Sequence, residues 1–181
     1  SGPNITLYRN SGSPADSDNL GDIHFKGRND NSQDVEYAVI DGRIVDASDG
    51  TEDGKLEIVT IVAGSGASRI NMINTETVFN EDSIDLDFRV ESNGNANMLF
   101  VDGGNDRVGI GVVPTHHFNL QGTGAVEARF RSSDGDMSLQ ISSDADETHD
   151  SDLTFMSGTS GRGSIVYDHN TTAASQSMIF K

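Results

Sequence analysis

The chain has no cysteine and no tryptophan, and only three prolines among 181 residues. Without thiols there are no disulfide staples, no thiolate nucleophile and no cysteine-based zinc site. No run of about 18 apolar residues occurs, so no segment is long enough to cross a membrane as a helix. Basic residues are scarce: 12 stand against 29 acids, a net charge of −17. A surface of that sign repels phosphate backbones and anionic bilayers, so neither nucleic acid nor membrane insertion is expected. It suits solubility in a saline or calcium-containing medium. Apolar residues make up 34% of the chain and aromatics 6%. That is little apolar surface with which to offset the entropy of ordering the chain. Two outcomes remain, partial disorder or a core completed by neighbouring copies, and the strand signals below favour the second. The opening Ser1-Gly2-Pro3 lacks signal-peptide character and reads as a cut from a longer chain.

What the sequence does have is a period of two. Ile84, Leu86, Phe88 and Val90 alternate with Asp85, Asp87, Arg89 and Glu91, which predicts one half-buried strand. DVEYAV, VEARFR and DMSLQIS repeat the pattern. Shorter candidates are ITLY, GDIHF, GRIV, KLEIVTIV, RINMI, NMLFV, RVGIGV, DLTF, SIVY and SMIF, separated by turn clusters rich in Gly, Asn, Asp and Ser. A helical turn is conceivable only near Asn74 to Glu81 or Gly122 to Glu127. Two stretches share an order of acidic turn, strand ending in Phe25 or Phe155, Gly-bearing loop, strand centred on Tyr37 or Tyr167, and Asp turn. The expected organisation is a first β-module over 1–80, linking strands over 81–123, and a second module over 124–181. The fold class is all-β, of short-stranded modules resembling β-prism or β-sandwich segments.

The stretch NDRVGIGVVPTHHFNLQG, from Asn105, concentrates the candidate sites. A phosphate-cradling loop needs a preceding strand and a following helix. Here Gly109 and Gly111 alternate with Val108, Ile110 and Val112, and Pro114 follows, so the glycines read as strand positions kept small for close approach. His116 and His117 are adjacent, and one chain cannot easily turn both onto one ion. Three copies around a threefold axis would place three equivalent imidazoles on an axial metal. DASDGTEDG and DADETHDSD share the composition of calcium loops without their ligand spacing. No cofactor is expected, an axial metal or calcium being the exceptions to test. No nucleophile elbow is present, and with so many acids a pair of carboxylates at glycosidase spacing discriminates nothing.

Residues 87–124, DFRVESNGNANMLFVDGGNDRVGIGVVPTHHFNLQGTG, resemble a segment recurrent in bacteriophage tail fibres and related virion proteins. Asn105, Asp106, Val108, Gly109, Ile110, Gly111 and Pro114 fill the centre of that motif, and Leu120 and Gly122 its tail. Val112-Val113 before Pro114 is shorter than the family's usual linker. In the family this motif precedes an endosialidase-type intramolecular chaperone, which this chain does not contain. The resemblance implies an elongated, intertwined homotrimer in the tail fibre of a virion. It implies a structural and receptor-binding role without enzymatic activity, toward a host glycan or outer-membrane protein and alongside other tail proteins. The competing readings are a purely structural spacer, a polysaccharide depolymerase, and a bacterial surface filament or adhesin.

Overall fold

The computed structural model describes residues 2–143, 149–169 and 177–180. Among them the chain is all β, with twelve strands in three sheets and no helix. The chain divides into two units, Ser1–Val126 and Glu127–Lys181.

The first unit holds two sheets. Strands β1 (Asn19–Arg28), β2 (Asp34–Asp46), β3 (Asp53–Val62), β4 (Ser65–Met72) and β5 (Thr77–Phe79) form an antiparallel meander in chain order. Turn chemistry sets these connections. Between β3 and β4 only Ala63 and Gly64 intervene, both with positive φ (49° and 86°). Two positive φ values are what a type I′ hairpin turn requires, and its twist matches the flanking strands. The second sheet comprises β6 (Phe88–Val90), β7 (Leu99–Asp102), β8 (Arg107–Ile110) and β9 (Phe118–Leu120). Its first two pairings are antiparallel and its last, β8 with β9, is parallel. The second unit carries β10 (Ser151–Ser157), β11 (Ser160–Asp168) and β12 (Ser177–Phe180), again an antiparallel meander.

Several sequence expectations change. DVEYAV and GRIV are one continuous strand, β2, running through Asp41 and Gly42 without a turn. The stretch near Asn74 to Glu81 forms β5 rather than a helical turn, because Thr77–Phe79 pairs with β4. Gly122 to Glu127 is not helical either. Of SIDLDFRVE only Phe88–Val90 is strand. Residues 84–87 are held by side chains instead: Asn80 Nδ2 donates to Ile84 O at 2.8 Å, and Asp87 Oδ1 accepts from the Gly103 amide at 3.2 Å. ITLY, VEARFR and DMSLQIS find no ladder partner among the described residues. The two modules share a meander, but their tyrosines are not equivalent. Tyr37 is the extra residue of a bulge beside Phe25, whereas Tyr167 pairs with Ser151 at the far end of its hairpin. Most of the acidic stretch from Asp144 lies outside the described residues.

Burial is sparse. Among the described residues the buried apolar side chains are Ala67, Phe100, Pro114 and Val166, beside buried Asp41, Ser68 and Asn71. The accessible surface is 13684 Å². Two separate compact units of these sizes would expose roughly 10,000 Å². Part of the surplus is apolar, since Ile23, Phe25, Phe79, Phe118 and Phe155 are 43–64% exposed.

Candidate functional site

The register of the five-stranded sheet sorts its two faces. Directly paired residues in an antiparallel ladder point the same way. Ile23 pairs with Ile40, Ile40 with Ile58, Ile58 with Ile70, and Ile70 with Phe79. One apolar row therefore crosses all five strands. The next register position gives Asp22, Asp41, Glu57 and Asn71 on the opposite face. Three carboxylates so close would repel, and polar partners brace them. Asn19 Nδ2 donates to Asp22 Oδ1 at 2.8 Å and to Asp41 Oδ1 at 3.2 Å. Arg43 Nε donates to Asp41, and Lys55 Nζ lies 2.8 Å from Glu57. Hydrogen bonding with Asn19 and then Asp41, reinforced by His24 and Arg43, lowers the Asp22 pKa. Burial raises that of Glu57, but the contact with Lys55 and the charges of Lys55 and Arg43 outweigh it, so the net shift is down. Glu36, whose Oε2 is 2.7 Å from His24 Nδ1, is lowered chiefly by that contact.

Bulges make this sorting work. Leu20, Tyr37, Val45 and Arg69 are each an extra residue opposite an unbroken partner. Each bulge resets the alternation, so Asn19 and Asp22 share the polar face, as do Ser68 and Asn71.

The second sheet repeats the arrangement. Phe88, Val101, Val108 and Phe118 form an apolar row across its four strands. The rings of Phe79 and Phe88 stand 4.8 Å apart, so the two rows touch end to end. In the second unit, Leu153, Ile165 and Phe180 make a comparable row.

The VGIG stretch acquires a specific role. Parallel neighbours ordinarily need a crossover of a dozen or more residues, yet only 111–117 separate β8 from β9. The chain doubles back over its own strand. A Cβ on Gly109 would overlap Val112 O and stand 3.0 Å from Pro114 Cδ. Gly111 has φ of +81°, and a Cβ there would overlap Gln121 O. The return is fastened by Gly111 N to Asn97 O at 2.9 Å, Gln121 N to Ile110 O at 2.9 Å, and Val108 N to His117 O at 2.8 Å. The glycines are thus small where the chain meets itself. Pro114 is buried against this return. Asn105 donates its amide N–H and its Nδ2–H to Asp102 Oδ1, both at 3.0 Å, and Asp106 takes a φ of 55°, so the two motif residues close the β7–β8 turn.

His116 and His117 are exposed in the return loop, with His116 Nδ1 3.0 Å from Thr115 Oγ1. Among the described residues no three His, Asp or Glu side chains are grouped to hold a metal. Of the acidic loop from Asp46 to Gly54, Asp46 accepts from the Ser48 amide at 2.8 Å, which lowers its pKa. Two adjoining shallow grooves of about 420 and 400 Å³ share Leu20, Arg43, Asp53 and Gly54 near this loop. No protein-family profile and no curated protein matches the sequence. Sequence reasoning did not find the apolar rows, because cross-strand register is set by bulges that alternation alone does not announce.

Proposed function

We propose that this chain is a structural and receptor-binding segment of a homotrimeric bacteriophage tail fibre, acting outside the cell as part of the virion. The observation that carries the reading is the incomplete core: a surface well above that of two compact units, with large apolar side chains half exposed on every sheet. Such a chain lowers its free energy by sharing apolar surface with copies of itself, at roughly 25 cal/mol per Å² removed from water. The motif from Asn105 to Pro114, with its resemblance to tail-fibre segments, gives the association its biological setting. Closed assembly also covers strand edges that a lone sheet leaves unpaired. Exposed loops presented three times would let weak contacts to a host glycan or outer-membrane protein add by avidity. The role is non-enzymatic.

Light scattering coupled to size exclusion tests the assembly. Three chains per particle is the expected mass across micromolar concentrations. A one-chain mass with cooperative unfolding would overturn the reading. Attachment is tested by binding the purified assembly to host cells, where competition against whole phage is expected.

A further inference from the structure

We propose that copies of this chain meet through the isoleucine face of the five-stranded sheet, continued across Phe79 and Phe88 into the apolar row of the second sheet. The inference rests on the self-association proposed above and names its surface.

Three observations single out this face. First, its chemistry is largely apolar and free of carboxylates. The row Ile23, Ile40, Ile58, Ile70, Phe79 is flanked on one side by Phe25, Ala38, Thr60 and Ala67, and on the other by Gly42, Leu56 and Met72. No acidic side chain falls at these register positions, and the charge that reaches this face is a cation, the bulge residue Arg69, whose Nε donates to Thr60 Oγ1. Second, the row is incompletely covered, with Leu7 packed at its Gly21 edge and Ile40, Ile58 and Ile70 part-exposed. Ile23 is 43% exposed and Phe79 49%, and none of the five is buried. A fully exposed aromatic side chain offers about 150–250 Å², and with these side chains half exposed or less the two touching rows and their flanks offer roughly 800 Å². That exceeds the roughly 300–600 Å² patch a soluble monomer ordinarily exposes. It also matches the roughly 800 Å² that each partner contributes to a standard interface.

Third, charge selects the occupant. Each copy carries a net charge of −17, so copies repel wherever their acids face each other. The opposite face bears Asp22, Asp41 and Glu57 with their braces, and closing two such faces would dehydrate ionised groups at a cost their pairing seldom repays. The isoleucine face is the broad surface on which two copies approach without placing acid against acid. An apolar face on a strongly acidic chain fits the same face of its copies gathered round one axis, as the proposed trimer requires, and the carboxylate row then faces solvent.

The absence of cysteine makes the test clean. The full chain is prepared as two single variants, Ile23→Cys on the apolar face and His24→Cys, its neighbour on the opposite face. Both are kept reduced, their mass is checked by light scattering, and maleimide labelling is timed. In an assembly of wild-type mass, the thiol of Ile23→Cys is expected to react about tenfold more slowly than that of His24→Cys, since thiol reactivity follows exposure. A charged variant follows: Phe25→Lys, at a half-exposed edge position, should lower the mass to one chain while the strand signal in circular dichroism persists. If both thiols label equally fast in a multichain particle, the surface is wrong and the fibre reading stands. If the wild-type chain is itself a monomer, the fibre reading falls and takes this interface with it.

Discussion

The return of residues 111–117 over β8 separates two costs that glycine substitutions usually mix. Three positions isolate them. Gly50 has φ of +85° with open space where a Cβ would stand, so Gly50→Ala meets only the left-handed backbone. That conformation costs an L-residue about 1–2 kcal/mol. Gly109 lies outside the positive-φ region, but its Cβ would overlap Val112 O and crowd Pro114, so Gly109→Ala meets only overpacking. Forcing an extra methyl into a filled site costs about 1–3 kcal/mol. Gly111 combines both, with φ of +81° and Gln121 O in the way. If the costs add, Gly111→Ala should lose about 2–5 kcal/mol, the largest of the three. Urea unfolding of the three variants, with β-sheet circular dichroism as the signal, gives the differences directly. The reasoning fails if Gly109→Ala unfolds within about 0.5 kcal/mol of wild type, the range of an ordinary surface change. It fails equally if Gly50→Ala is as damaging as Gly111→Ala, because the fold-back would then contribute nothing.

Two further outcomes follow from the geometry. The contact joining the two apolar rows predicts a coupling of about 0.5–1.5 kcal/mol between Phe79→Leu and Phe88→Leu in a double-mutant cycle of unfolding, and additive losses would show that the sheets do not support one another there. Acidification tests the depressed carboxyls. Asp22, Glu36 and Asp46 have folded pKa values below their ordinary ones, so their contribution is present above the unfolded values and disappears as pH falls through the folded ones. Protonation also relieves the repulsion of a chain at −17, which acts in the other direction, so the comparison is made between wild type and Asp46→Asn. The variant's urea midpoint should fall less steeply between about pH 5 and pH 3, and parallel slopes would remove Asp46 from the account.

Alternation made the fold class legible. The hydrophobic positions of β1, β3, β7 and β11 can be read directly, and Ala63-Gly64 marks its own hairpin. Alternation failed where backbone groups find partners other than a neighbouring strand. Residues 84–87 alternate as well as any strand, yet Asn80, Asp87 and the turn at Gly103 hold them. The 111–117 return was partly legible: the glycines announced close approach, but not that the approaching chain was their own. The apolar rows were not legible, because pairing Ile40 with Ile58 depends on hairpin lengths and on bulges at Tyr37 and Val45.

Those bulges also decide where the sheet can change length. A strand has a reading frame of two, and the loss of one residue inside it exchanges its faces from that point onward. Deleting Glu57 from the middle of β3 would send Leu56 or Ile58 to the side of the carboxylates. At Arg69 the frame is already shifted, since Ser68 pairs with Val59 and Ile70 with Ile58. Removing Arg69 would restore simple alternation and leave Ala67 and Ile70 on the apolar side and Asn71 on the polar side. Single-residue deletions in this sheet should therefore be tolerated at the bulge residues Leu20, Tyr37, Val45 and Arg69, and ruinous at Glu57, where no extra residue of β3 can take up the shift.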